Sequence, residues 1–255
     1  MKNILCVKWG DKYTSEHVEK LKQQVEKHCS YDFNFYCLTD KPEKEYDVQL
    51  PTWMDEYYIP EKNFFWAYRK CYMFDQTKIF GDDSADDEFL FFDIDVLLHN
   101  SIDPLWELPM DKPYIVRGWW NDIKNCQKNY GKLKSTPLNS SVIRWNGLQL
   151  HRVYNHIRKN AAMVFFTYRT IDNYFNHFFY NIHNEEESFF RGYPKGMIYS
   201  WYKGNIFDED MELKKLRKDH MICLFNNSAS GIDEDMNDIS AVSYTHLTLP
   251  TNGEV

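Results

Sequence analysis

A run of four bulky apolar residues, Phe89-Leu90-Phe91-Phe92, leads into two carboxylates, Asp93 and Asp95, separated by Ile94. Such a run has no polar alternation, so it forms a strand only where both faces are covered, inside a layered α/β domain. On an extended backbone Asp93 and Asp95 point the same way. Two acids converging at the end of a core strand repel each other, and burying them unpaired costs free energy. A divalent cation with hard oxygen ligands relieves that cost, usually while also holding phosphate oxygens. Open α/β sheets place ligands at the carboxyl ends of their strands, where this pair is expected.

The rest of the chain alternates strand and helix signals. Residues 4–7 are expected to form a first strand, ended by Trp9-Gly10-Asp11. Thr14 or Ser15 can cap a helix whose stripe is Val18, Leu21 and Val25. Residues 33–38 predict a second strand, closed by the turn signal Thr39-Asp40-Lys41-Pro42. Residues 66–74 fit a short helix with Ala67, Cys71 and Phe74 on one face, to which Arg69 and Lys70 add positive charge. Further strands are predicted at 114–117, 141–145 and 221–225, and helices at 148–157 and 171–179. The predicted fold class is α/β: a single domain with a mostly parallel central sheet flanked by helices.

A chain of 255 residues can bury a sizeable core. Its net charge of −8 argues against a nucleic-acid-binding surface, which needs a basic face, but leaves room for one nucleotide held through a cation. The six cysteines include no C-x-x-C pair and no zinc spacing. Cys6, Cys37 and Cys223 stand in apolar runs and are expected as buried, reduced thiols. With no leader-like N-terminus and no transmembrane segment in the sequence, these thiols predict a cytoplasmic protein. From about Val242 the composition changes, and Ser243-Tyr244-Thr245-His246-Leu247-Thr248-Leu249-Pro250 resembles translated sequencing-adapter read-through. Residues 1–241 are therefore expected to be the domain and 242–255 a non-native tail.

The segment from Phe91 through Asp93-Ile94-Asp95 to Asp103-Pro104-Leu105-Trp106 resembles the signature of GT-A fold nucleotide-sugar glycosyltransferases. It is most similar to glycosyltransferase family eight and to related phage and marine bacterial enzymes. The resemblance implies a GT-A (Rossmann-like) fold and metal-dependent transfer of a hexose from a nucleoside-diphosphate sugar. It further implies a UDP-hexose donor, Mn²⁺ or Mg²⁺ as cofactor, and an acceptor that is a glycan, a lipid or a protein. Carried over residue by residue, it implies Asp95 as a direct metal ligand and Asp93 at the ribose and the metal's water shell. Lys8, Trp9 and Tyr13 fall where the family contacts nucleobase and ribose, and Thr39 and Asp40 where it also touches the nucleotide. Arg69 and Lys70 fall on the helix whose cation reaches the diphosphate, and Asn139 and Ser140 in the donor-sugar pocket. Glu186 and Glu187 stand where the family often has Asp-Gln-Asp/Glu, and are implied as catalytic carboxylates together with Asn139. The family's late metal-binding His and its Lys are missing after residues 221–225, so Asn226 is the implied substitute ligand.

Each assignment has a plainer alternative. The two aspartates can cap a turn, and Arg69 and Lys70 can form a solvated helix face. Asn139 and Ser140 can serve turn chemistry after Pro137, and an acidic run such as 185–187 commonly starts a solvated helix. Trp119 and Trp120 form a candidate sugar-stacking platform, although aromatic pairs are more often core. A catalytically degenerate GT-A fold that only binds a glycan or a partner is the alternative function. A nucleotidyltransferase would carry a Gly-rich phosphate loop after its first strand, where Gly10 stands alone.

Overall fold

The computed structural model describes residues 1–57, 63–118, 136–168, 170–181, 184–201 and 216–225. Asn226, Trp119, Trp120 and residues 242–255 lie outside these described residues. The strands are β1 (Lys2–Lys8), β2 (Asn34–Thr39), β3 (Asp47–Gln49), β4 (Glu88–Phe92), β5 (Val96–Leu98), β6 (Tyr114–Arg117), β7 (Leu138–Asn146), β8 (Arg191–Gly192), β9 (Ile198–Ser200) and β10 (Ile222–Leu224). Seven of them form the main sheet in the order β3-β2-β1-β4-β7-β6-β8, and β5-β10-β9 form a smaller one. β1 pairs in parallel with β2 and β4, β2 with β3, and β6 with β8; β7 runs antiparallel to both β4 and β6. The expected mixed α/β architecture, a mostly parallel central sheet flanked by helices, is therefore present.

The helices are α1 (Ser15–His28), α2 (Gln76–Phe80), α3 (Asp103–Trp106), α4 (His151–Lys159), α5 (Ala161–Thr167) and α6 (Ile171–Phe179). Thr14 caps α1, its backbone amide donating to His17 Nδ1 at 3.1 Å, and Val18, Leu21 and Val25 are buried as the helical stripe required. The helix expected at 66–74 is instead the later part of a 3-10 run, Asn63–Phe74. The helix expected from 148 starts only at His151, because Gly147 (φ 48°) opens a turn. A Cβ on Gly147 would lie 2.2 Å from the Ala85 carbonyl oxygen, so the chains approach there as only glycine allows.

All four residues of the apolar run are wholly buried, on two faces. Phe89 and Phe91 join the cluster containing Phe74, Trp145 and Phe175, while Leu90 and Phe92 join Val18, Leu21 and Val25 under α1. Each such side chain contributes about 1.5–3 kcal/mol of transfer free energy, which makes β4 the anchor of the sheet. The Pro104-Leu105-Trp106 segment has a packing role. Pro104 opens α3, Leu105 and Trp106 are buried, and the Trp106 and Leu108 carbonyls each accept a 2.8 Å bond from the wholly buried Arg144. Cys6, Cys29, Cys37, Cys71 and Cys223 are free thiols. Among the described residues no helix is long and apolar enough to cross a membrane.

Candidate active site

The carboxyl ends of β2, β1 and β4 finish side by side, with Lys8 of β1 paired to Thr39 of β2. β4 stops at Phe92, and Asp93-Ile94-Asp95 form a turn into β5, so the extended alternation expected for the two aspartates is not what aligns them. Ile94 does: it is buried in the core under α1, and its half-buried neighbours are left on the open side. β7 enters against its neighbours, so its first residues meet this turn. The Asp93 amide donates to the Ser141 carbonyl at 2.8 Å.

Lys70, from the 3-10 run, reaches into the turn. Its ammonium donates to Asp93 Oδ1 at 2.6 Å and Oδ2 at 2.8 Å, and lies 3.3 Å from Ser140 Oγ. The Ser140 amide in turn donates to Asp172 Oδ1 at 3.0 Å. The Tyr13 hydroxyl donates to Asp95 Oδ2 at 2.8 Å. Residues from four other stretches thus gather around this lysine, Tyr13 through its bond to Asp95. Asp172, in the first turn of α6, is the member that sequence reasoning missed. Its one signal was an acid two residues after the capping Thr170, which reads as ordinary helix-start chemistry.

Three carboxylates face one ammonium here, and their protonation reflects it. Burial disfavours the charged form of Lys70, but Asp93, Asp172, the Asp93 hydrogen bond and Asp95 outweigh it and hold the amine above the ordinary lysine value. Burial, then the charge of Asp93, raise Asp95, against the pull of Tyr13, Lys12 and Lys70. Burial also raises Asp172, with Lys70 and Ser140 opposing. Three carboxyl groups thus stand around Lys70, and Lys12 adds a further positive pull on Asp95.

On the β1–β2 side, Gly10 adopts φ 66° and donates its amide to Asp40 Oδ2 at 3.3 Å. Asp40 Oδ1 is buried and accepts no hydrogen bond among the described residues. Thr39 is wholly buried, its hydroxyl accepting from the Lys41 amide at 3.2 Å, and Lys8 is buried at the strand end. Arg69 turns away from Lys70's cluster. It is buried in an ion pair with Asp55, its guanidinium 4.1 Å from the centre of the Trp9 ring. Asn139 lies within β7, not in the turn of its plainer reading; its Oδ1 accepts the Ser141 amide at 3.0 Å, and its side-chain NH₂ has no partner among the described residues.

Glu186 and Glu187 are not brought to this cluster. They stand on a 3-10 turn, Glu185–Glu187, where Lys112 donates to the Glu186 carbonyl and Asn181 to Glu187 Oε2. Lys112 precedes β6, whereas the cluster lies beyond the other end of the sheet. Glu187 lines a separate cleft of about 570 Å³ with Lys112, Arg152, Phe179 and Phe189.

Asp93 and Asp95 offer the hard oxygen donors that Mg²⁺ and Mn²⁺ prefer, and Asp95 Oδ1 accepts no hydrogen bond among the described residues. Among those residues no group of three His, Cys, Asp or Glu is arranged to hold a metal ion, so a cation here would need ligands from elsewhere. The oxygen-donor chemistry of the two carboxylates fits such an ion.

No protein-family model matches the chain, and no curated protein matches it. Solved structures do. The galactosyltransferase LgtC, in complex with donor and acceptor sugar analogs, superposes with a TM-score of 0.59 at 13% identity, covering 98% of each chain. A glycosyltransferase involved in glycosylation of the major capsid of PBCV-1 gives 0.53 at 14% identity, over 94% of this chain and 98% of that one. Mouse xyloside xylosyltransferase 1 gives 0.50 at 13% identity, over 89% and 98%. The likeness is one of fold: the chain has the GT-A fold of these glycosyltransferases in a single domain.

Proposed function

We propose that the chain transfers a sugar, a hexose in the first instance, from a nucleoside-diphosphate donor such as a UDP-hexose to a glycan, lipid or protein acceptor. The observation that carries this reading is the convergence of Lys70, Asp93, Asp95, Ser140 and Asp172 at the carboxyl end of the sheet. Asp93 and Asp95 would hold a divalent cation, Mn²⁺ or Mg²⁺, with Asn226 as a candidate further ligand. When bound, that ion stabilises the negative charge developing on the leaving diphosphate. Tyr13 orients Asp95 by its hydrogen bond. Lys70 sets a fixed positive charge beside the leaving group, and Asp93 and Asp172 keep it protonated. Asp172 and the free amide of Asn139 flank Ser140 and would face the donor sugar. Lys8, Trp9, Thr39 and Asp40 would form the nucleoside side, with Arg69 bracing Trp9 and the buried Asp40 Oδ1, which has no hydrogen-bond donor among the described residues, accepting from the base or ribose. Glu186 and Glu187, at the other end of β6, take no part in this scheme.

The second reading, a binding protein with the same fold, is favoured by one detail: both Asp93 oxygens are already engaged by Lys70. Thermal shift and UDP release with UDP-glucose and UDP-galactose, in Mn²⁺ and in EDTA, separate the two. Transfer predicts Mn²⁺-dependent stabilisation and slow hydrolysis that Asp95→Ala abolishes. Sugar or partner binding equal in EDTA, with no nucleotide release, would replace it by the binding reading.

A further inference from the structure

The exposed sides of α4 and α5 together carry basic and apolar side chains. Asn160 (φ −122°, ψ 27°) closes α4 by donating to the His156 carbonyl at 3.1 Å and opens α5 by accepting from the Val164 amide at 2.9 Å, so the two helices follow one another with a break at Asn160. Arg152, Asn155, Arg158 and Lys159 are exposed on α4, and Met163 and Phe166 on α5. Val153, Tyr154, Ile157, Val164 and Phe165 fill the buried side. Met163 and Phe166 are 41% and 52% exposed. Phe178 of α6, 40% exposed, packs its ring 4.7 Å from that of His156 and extends the apolar area.

Charge sets this face apart from the rest of the protein. The chain carries a net −8, yet residues 151–179 hold four basic residues and one acid. That acid, Asp172, is turned to Ser140 and not to the face. Arg152 shares a cleft with Glu187 and lies over the Phe189 ring at 3.7 Å; Arg158 lies over the Trp53 ring at 4.8 Å, and neither it nor Lys159 forms an ion pair among the described residues.

We propose that the outer faces of α4 and α5, with Phe178, dock on a lipid bilayer bearing anionic headgroups. Phe166, Met163 and Phe178 enter the headgroup boundary while Arg152, Arg158 and Lys159 meet the phosphates, the pattern of interfacial helices. Asp172 lies roughly 10 Å from Phe178 along α6, so a docked molecule holds the Lys70 cluster near the membrane surface. Docking needs neither nucleotide nor metal, and stands or falls apart from the transfer reading.

The test is sedimentation of the full chain with phosphatidylcholine vesicles, with and without phosphatidylglycerol, without nucleotide or divalent cation. Binding is expected only with phosphatidylglycerol and should weaken as salt rises. Arg152→Glu/Arg158→Glu/Lys159→Glu should lose at least roughly a hundredfold in affinity, at about fivefold per cation. Phe166→Ser removes a half-exposed ring and should weaken binding, and its thermal melt, measured alongside, separates lost docking from lost folding. Wild-type protein left in the supernatant with anionic vesicles overturns the proposal, as does charge-reversed protein that still folds and binds like wild type. Concentration-dependent dimerisation through this face without vesicle binding would assign it instead to a second copy of the chain.

Discussion

The Lys70 ammonium donates to both carboxylate oxygens of Asp93, at 2.6 and 2.8 Å, in a pair where the side chains keep only 15% and 22% of their surface exposed. Removing one member strands the other. Lys70→Met should therefore cost about 2–4 kcal/mol of stability, towards the lower end of what a buried pair loses because some water remains. Chemical denaturation measures that loss. Donor affinity should fall at least about tenfold in the same variant, since a cation at the diphosphate goes with it.

Asp95→Asn should divide metal binding from stability. The carboxylate is strained by burial and by Asp93, so the amide leaves the metal-free protein as stable as wild type or slightly more so. The same variant should lose the Mn²⁺-induced rise in melting temperature. A Mn²⁺ response of wild-type size would remove Asp95 from the metal site.

Asp172 gives a pH signature. Its pKa is raised in the folded chain, so its contribution to stability is fully present below the ordinary carboxylate value and is lost as pH rises through the raised one. Asp172→Asn should flatten the melting temperature of the metal-free protein across that interval. Turnover should fall on the order of a hundredfold, with donor affinity little changed, if the carboxylate acts on the sugar and not on binding. An equal fall in affinity would place Asp172 among residues that only position Lys70.

Gly147→Ala tests the turn that delays α4. With a positive φ and a carbonyl oxygen 2.2 Å from the added carbon, the substitution should cost about 2–4 kcal/mol, measured by thermal unfolding. Gly10→Ala has the same sign of φ but open space around it, and should cost only about 1 kcal/mol.

The parts of the fold that were legible in the sequence are those with strong local patterning. The apolar run of β4, the stripe of α1 and the segments of β6 and α6 carry their own periodicity, and the structure places them as expected. Strands of two or three residues such as β3, β8 and β9 are too short to have a period, and exist through their neighbours. The pairing of Asp93 with Asp95 was legible but for a different reason: the buried Ile94 in a turn aligns them, and extended alternation does not. Lys70 was legible as one of two adjacent cations, yet nothing in Arg69-Lys70 reveals that Arg69 pairs with Asp55 while Lys70 enters the site. Asp172 was hidden because its meaning comes from Ser140, 32 residues earlier on a reversed strand. The position of Glu186 and Glu187 near the start of β6, away from the Lys70 cluster, was hidden for the same reason, since order along a chain does not say at which end of a strand a loop emerges.

The reversed direction of β7 has a bearing on synthesis. Lys8, Lys70 and Asp93 are all made before Ser140 arrives from the opposite direction and before Asp172 seals its far side. A nascent polypeptide therefore holds a half-built acidic pocket until α6 has left the ribosome, and a product truncated before α6 should be unable to retain a nucleotide.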